Sequence, residues 1–475
     1  MKTILSTRGY KIPKKSITND AIELIHKELI INPYTFDMTG FKDPNKEEDN
    51  SYNIYIETDK HYIVPRYWGV EHFGEPVVNK IPQGLDINVE FKGQMRDYQK
   101  DIVDKYMKSV GNQGGSLICL KTGGGKTVVA LYIISLLKKK TIVLCHKSFL
   151  ADQWISRIME FLPGVKISKV QGSTSDWSGD IIIGMVQTIL NRDIPEDITN
   201  ELGLLIADEA HHLAAQQFAK SLLKLNPRYH LGLTATPKRA DNLQRVFEYY
   251  LGPICFKSAV DKTTNVEVRL IDYYCEDIRY CKTEKLYTGK ICRPRIINNI
   301  CNWDHRTRFI MNIIFKCYEM GRKILVLSDR REHCLTMVRM ANERYGLGTA
   351  SPYLGGMKIH ELDESNKKMI IVGTYQACSE GYDNRELDTL IMSTPQGNIE
   401  QTVGRILRQE NKFHPLIYEI VDTNISCLKK NTDTHMKLYK KRSYDVYRNN
   451  DTDKIDFKKS VKKSKPIYEI NECLL

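Results

Sequence analysis

Ile118–Leu137 reads ICLKTGGGKTVVALYIISLL, and the order of residue types in it decides the fold. A short apolar run meets three glycines, then Lys126 and Thr127, then a second apolar run of helical length. Glycine weakens any regular element it interrupts, so this cluster marks backbone that something approaches closely. A strand before the glycines and a helix after them form the setting of a phosphate-binding loop. In such a loop the backbone from Thr122 through Gly123, Gly124 and Gly125 closes around phosphate oxygens. The Lys126 ammonium meets the outer phosphates, and the Thr127 hydroxyl serves a magnesium ion. The G-x-x-x-x-G-K-T pattern departs at its first glycine, where Leu120 stands.

Outward from this loop, short runs rich in Ile, Leu and Val recur: SLICL, TIVLCH, DIIIGM, LGLLIAD and YHLGLTAT. Helix-length segments such as Thr127–Lys138 and Phe149–Phe161 lie between several of them. Strands alternating with helices predict a parallel sheet covered on both faces. A second series follows: RKILVLSD, KKMIIVGT, LDTLIMSTP and PLIYEIVD. The expected organisation is an N-terminal accessory region over 1–90 and an ATP-binding domain over 91–254. A linker and second α/β domain follow over 255–428, then a basic tail over 429–475.

The partner of a phosphate loop is a carboxylate at the end of another buried strand, and LGLLIADEAHH supplies it. Asp208 is the expected magnesium holder and Glu209 the residue that polarises the attacking water. His211 lies too far along to share that task. The two motifs lie about eighty residues apart and together predict an ATPase.

With 475 residues the chain has material for two or three domains, and 41% hydrophobic residues suit a globular protein. Its longest apolar run, Val128–Leu137, is about half the ~20 residues a membrane span needs. No signal peptide is visible, and the twelve cysteines include no CxxC pair, which predicts reduced thiols in an intracellular setting. Cys275, Cys281, Cys292 and Cys301 form the nearest thing to a cluster, at spacings that fit no metal template. The net charge of +12 favours an anionic partner. Much of the excess lies in Lys429–Lys465, which reads equally as a solvated tail or a nucleic-acid contact.

Asp-Glu-Ala-His makes a resemblance definite: over roughly Phe91–Asp422 the chain resembles a superfamily 2 DExH-box helicase. FKGQMRDYQ resembles the adenine-side motif, with Arg96 and Gln99 in the matching positions, and TIVLCHKSFLADQW resembles motif Ia. GMVQTI resembles the next nucleic-acid element. LTATPKRAD resembles motif III, with Thr234 and Thr236 as hydroxyls that couple with His211. ILVLSDRREH, VGTYQACSEGYD and QTVGRILRQ resemble motifs IV, V and VI. The implied fold is α/β, two tandem RecA-like parallel-sheet domains. The implied cofactors are ATP and Mg2+. Gly381, Asp383, Gln401, Arg405 and Arg408 are the implied second-domain residues of the ATP site. Arg405 and Arg408 are three apart and share a helix face, from which they would meet the γ-phosphate when the domains close. Expected nucleic-acid contacts are His146, Lys147, Gln187, Thr188, Arg330, Arg331, Thr374 and Gln376, made to phosphates and therefore independent of base sequence.

Within the superfamily, RxYQ, CHKSFLADQW and LGLTATPKRAD resemble the XPB-like branch. SDRREH with YLGGMK, and the N-terminal TRGYKIPKK, resemble the helicases of large DNA viruses, of the poxvirus transcript-release type. That resemblance implies DNA-stimulated ATPase activity and 3′-to-5′ DNA movement in viral transcription. It also implies RNA polymerase or transcription factors as partners, and the virion and host cytoplasm or viral factory as location. An RNA helicase and an ATP-driven duplex remodeller stay open as alternatives, as does the oligomeric state.

Overall fold

The structure is a computed structural model. It describes residues 2–31, 51–120, 123–208, 215–235, 244–258, 266–379, 382, 384, 386–397, 399–403 and 413–449 of the 475. Two compact units divide the chain, Met1–Ser258 and Ala259–Leu475.

The first unit is built on an eight-stranded sheet. Its order is Thr174–Ser175, Ile167–Gln171, Ile181–Met185, Thr141–Cys145, Leu204–Asp208, Tyr229–Thr234, Gly115–Cys119 and Ile254–Lys257. Every neighbouring pair is parallel except the short Thr174–Ser175 edge. Strand residues alternate between two cores because successive side chains point to opposite faces. Ile118, Val143 and Ile206 enter one core, with Val129 and Ile133 of the Lys126–Leu137 helix and Trp154 of the Ser148–Phe161 helix. Leu117, Ile142 and Leu205 enter the other, with Phe247 and Tyr250. The Lys126–Leu137 helix is apolar nearly all round, which fits its burial.

The second core also contains Leu5, Tyr10 and Trp68, so the N-terminal residues pack on the first sheet. They form their own five-stranded sheet, in the order Ile56–Glu57, His61–Val64, Gly9–Pro13, Ile4–Ser6 and Val78–Asn79. Asn226 donates to the Ser6 carbonyl at 2.6 Å, and the Tyr250 hydroxyl donates to the Ile54 carbonyl at 2.8 Å. Ile87 and Val89 already belong to the core of the first sheet, a few residues before the expected boundary.

The second unit holds a seven-stranded sheet, parallel throughout. Its order is Ala350–Tyr353, Ile370–Thr374, Ile324–Ser328, Thr389–Met392, Leu416–Asp422, Glu267–Tyr273 and Asp445–Arg448. The last strand corrects the expectation of a tail beginning at 429. Ser426–Arg442 is a helix that buries Leu428, Asn431, His435 and Tyr439, and Asp445–Arg448 then pairs with Glu267–Tyr273. Spacings of three and four residues put these side chains on one face, while Lys429, Lys430, Lys437 and Lys440 are exposed on the other. The His435 ring lies 2.9 Å from buried Glu419 and 2.7 Å from the Gln396 carbonyl, and the Tyr439 hydroxyl donates to Glu419 at 2.7 Å. The basic run beyond 449 lies outside the described residues.

Buried polar groups recur near the carboxyl ends of the second sheet. His333 is 3% exposed, with Ser328 Oγ at 2.9 Å from Nδ1 and Thr307 Oγ1 at 3.3 Å from Nε2. Burial, reinforced by the nearby Arg306 guanidinium, pushes its pKa down to about 3. The folded chain therefore leaves His333 neutral while the unfolded chain protonates it below about pH 6.5. Stability from this site is complete above that pH and is lost as pH falls toward 3, at up to about 1.4 kcal/mol per pH unit. In urea unfolding, His333→Gln is expected to flatten the pH dependence between 6 and 4. A slope identical to that of the parent removes His333 as its source.

Candidate nucleotide and nucleic-acid site

Leu120 follows the Gly115–Cys119 strand, and its N–H donates to the Thr234 carbonyl at 2.9 Å, tying the loop's start to the adjacent strand. Gly123 and Gly125 take φ of +78° and +79°, the left-handed region that side chains disfavour. Gly125 is the N-cap of the Lys126–Leu137 helix and, as a glycine, brings no capping side chain of its own. A helix N-terminus that opens directly after a glycine turn suits an anion. Close packing also requires glycine here: a Cβ on Gly125 would lie 2.3 Å from Gln99 Nε2.

Gln99 is buried and joins the loop to the Asp97–Gln113 helix. Its Oε1 accepts from the Arg96 N–H at 3.0 Å, and its Nε2 donates to the Gly124 carbonyl at 3.4 Å. Tyr98 donates to the same carbonyl at 3.1 Å and accepts from Arg96 Nη1 at 3.3 Å. Arg96 and Gln99 thus stand beside the glycines.

Asp208 ends the Leu204–Asp208 strand, 8% exposed, and its Oδ2 accepts from Trp154 Nε1 at 2.8 Å. Thr234 is buried at the end of Tyr229–Thr234. His146 and Lys147 follow Thr141–Cys145, and Gln187 and Thr188 follow Ile181–Met185. Gln187 is exposed, and Thr188 Oγ1 accepts from the Gly172 N–H at 3.1 Å. All these positions lie at the carboxyl edge of one parallel sheet, where open α/β folds place ligands. A hydroxyl at Thr127 and a carboxylate at Asp208 make the oxygen donor set that a hard cation such as magnesium prefers.

In the second unit Arg331 opens the Arg331–Tyr345 helix, exposed, and donates to the Gly355 carbonyl at 3.0 Å. Thr374 Oγ1 accepts from the Ala377 N–H at 3.3 Å, and Gln376 is exposed. Arg330, another expected nucleic-acid contact, is bonded within its own unit. Its Nε donates to Asn298 Oδ1, and its Nη1 and Nη2 donate to the Asp329 and Pro294 carbonyls, each at 3.0 Å. A guanidinium spread over three internal acceptors positions backbone. Thr122, Glu209, His211, Thr236, Gly381, Asp383, Arg405 and Arg408 lie outside the described residues, and for Gln401 only its place on the Glu400–Val403 helix is described.

Sequence reasoning missed Trp154. It closed the quoted motif Ia, but nothing local links it to a carboxylate 54 residues away. It also missed Arg306 and Asp422, both 0% exposed. Arg306 Nε donates to Asp422 Oδ1 at 2.7 Å and Nη2 to Oδ2 at 3.0 Å, and the Tyr280 hydroxyl joins them. Among the described residues no cluster of three or more His, Cys, Asp or Glu forms a metal site, and no helix is long and apolar enough to cross a membrane.

A glycine loop between strand and helix and a strand-end carboxylate on one parallel sheet, with a second parallel sheet later in the same chain, fit a RecA-like nucleotide-dependent motor. Residues 92–239 match the family described as type III restriction enzyme, res subunit. A protein of Acanthamoeba polyphaga mimivirus, whose description reads ATP-dependent RNA helicase, is 30% identical over 94% of this chain and 86% of its own length. A helicase of Invertebrate iridescent virus 6 is 24% identical over 77% of this chain and 84% of its own. The structure of S. cerevisiae Dbp5 bound to RNA and ADP–BeF3 shares the fold, with a TM-score of 0.51 at 11% identity over 73% of this chain and 89% of that one. The chain belongs to the superfamily 2 helicases, in the group carried by large DNA viruses. It is an ATP-dependent nucleic-acid helicase and hydrolyses ATP.

Proposed function

We propose that the protein is a DNA-stimulated ATPase that moves 3′ to 5′ along a DNA strand and serves viral transcription, at termination or transcript release, with DNA repair or recombination as the other setting. The observation that supports an ATP-driven motor is the glycine turn that opens a helix at Gly125, on the sheet edge that also carries Asp208. In this reading the amides of 122–126 and Lys126 bind the phosphates, and Thr127 and Asp208 hold hydrated Mg2+. Glu209 polarises the attacking water, and Arg405 and Arg408, with Gln401, meet the charge developing on the transferring phosphoryl group. Gly381 and Asp383 complete the nucleotide contacts. Thr234, Thr236 and His211 couple hydrolysis to strand movement. Lys147 and Arg331 are the favoured phosphate contacts, so binding weakens steeply with salt. Partners follow as RNA polymerase or transcription factors in the infected cell.

RNA is the second reading, favoured by the description of the mimivirus relative. ATP turnover measured side by side with single-stranded DNA, duplex DNA and RNA tests both. Stimulation by DNA alone supports the first reading and stimulation by RNA alone the second. No stimulation by any polymer overturns the motor.

Trp154 offers a further check on the magnesium site. Trp154→Phe keeps a ring in the core but removes the donor that orients Asp208. The magnesium concentration for half-maximal ATPase is expected to rise about tenfold to a hundredfold, in line with a hydrogen bond to a charged group worth ~1.5–3 kcal/mol. An unchanged magnesium titration shows that Asp208 needs no such orientation.

A further inference from the structure

Between the Glu267–Tyr273 strand and the Arg293–Cys301 helix the chain folds a short hairpin. Lys285 bridges Ile291 in antiparallel fashion, and the Cys292 N–H donates to the Glu284 carbonyl at 2.7 Å. At the tip, Leu286 N–H donates to the Lys290 carbonyl at 2.7 Å and Gly289 N–H to the Leu286 carbonyl at 2.9 Å. Gly289 takes φ +78°, the left-handed residue that closes such a turn. The apex is Tyr287, at 110% the most exposed of the large apolar side chains described. An aromatic ring held out on a prong, with both faces wet, has lost the burial that ordinarily justifies it.

The surroundings of the ring are basic. Residues 276–295 carry six Lys or Arg against three Asp or Glu. Two of the acids are already paired, Glu284 with Lys282 at 2.9 Å and Asp277 with Arg279 at 2.6 Å. Lys285 and Lys290 flank the tip.

The prong is firmly mounted. Arg295 Nη1 reaches the Lys285 carbonyl at 3.5 Å, from the helix that the hairpin feeds. That helix is held by Arg330, through Asn298 and the Pro294 carbonyl, and by Arg293 Nη2, which donates to the Pro395 carbonyl at 2.8 Å. Arg330 follows the Ile324–Ser328 strand and Pro395 follows Thr389–Met392, so the hairpin stands at the carboxyl edge of the second sheet. Arg331, Thr374 and Gln376 share that edge.

We propose that hairpin 284–292 is a nucleic-acid prong whose Tyr287 ring stacks on an unpaired base while Lys285 and Lys290 face the adjoining phosphates. The proposal rests on the helicase reading and deepens it, because it names the contact that holds a base out of the duplex. Charge decides the occupant. One ring between lysines offers little contiguous apolar area to a protein partner, whereas every base has a face to stack and a phosphate beside it. An aromatic–base stack is worth about fivefold to a hundredfold in affinity per base. Arg330 is then a positioning residue for the prong.

The test compares the full-length protein with Tyr287→Ala and Tyr287→Trp on a single-stranded oligonucleotide containing 2-aminopurine and on a partial duplex. Tyr287→Ala is expected to weaken oligonucleotide binding about tenfold, abolish quenching of the 2-aminopurine and slow strand displacement at least tenfold. Its ATP turnover at saturating nucleic acid should stay within about twofold of the parent. Tyr287→Trp restores binding and quenching. Parental binding, quenching and displacement in Tyr287→Ala overturn the proposal and leave the tip as a surface for protein. A loss that Trp fails to restore also overturns it, because stacking is then not the contact. Failure of the helicase reading looks different: the parent itself then shows no nucleic-acid-stimulated ATPase.

Discussion

Lys126→Ala is expected to lower ATP turnover by about 10³-fold or more, with the melting temperature within a few degrees of the parent and nucleic-acid binding without ATP nearly intact. Lys126 opens the helix that follows the glycines, so its ammonium stands where the helix N-terminus already favours negative charge. In the proposed site, phosphate charge grows on the outer oxygens as the bond breaks, and a fixed cation there favours the transition state over the ground state. Losing one preorganised group of this kind costs ~10²–10³ in rate, and the Lys also contributes to ATP binding. The fold should tolerate the change because the core face of this helix belongs to Val129, Ile133 and Ile134. Steady-state ATPase, with and without DNA and RNA, together with a thermal melt, reads all three quantities. Turnover near that of the parent would move the catalytic site elsewhere.

Asp422→Ala is expected to destabilise the second unit by about 3–5 kcal/mol, the usual consequence of leaving one partner of a buried ion pair alone. Arg306 would keep its charge at zero exposure after losing the carboxylate that receives Nε and Nη2. Tyr280 loses its acceptor as well. For a unit of roughly 200 residues this corresponds to a fall in melting temperature of about 6–20 °C. The control is Arg306→Met with Asp422→Leu, which replaces both charges by apolar groups and should recover much of the loss. Differential scanning calorimetry measures both. A single variant as stable as the parent would show that water reaches the guanidinium.

Much of the fold can be read one segment at a time. Runs such as TIVLC and LLIAD name buried parallel strands because both faces must be apolar, and each proves buried throughout. The proposed phosphate loop can be read from the sequence because its pattern is local: three glycines, a lysine and a threonine stand within a few residues of one another. Ser426–Arg442 was misread for the opposite reason. Counting Lys and Arg hides the Leu428, Asn431, His435 and Tyr439 face, and that face becomes visible only when Glu419 and the Gln396 carbonyl lie beneath it. The internal bonds of Arg330 were invisible because an arginine after a strand carries no sign of its acceptors, and two of its three acceptors come from a helix some thirty residues earlier.

The division follows from the reach of the forces. The sequence by itself determined the main buried strands of the two sheets and that two parallel-sheet units succeed each other. These are properties of neighbours along the chain. Tertiary structure alone decided that Trp154 orients Asp208, that Arg306 and Asp422 neutralise each other across 116 residues, and that a short hairpin stands out beside the second sheet with Tyr287 at its tip. Those are pairings between distant segments. Strand order and burial select them, because a buried polar group is tolerated only where the fold brings it a partner.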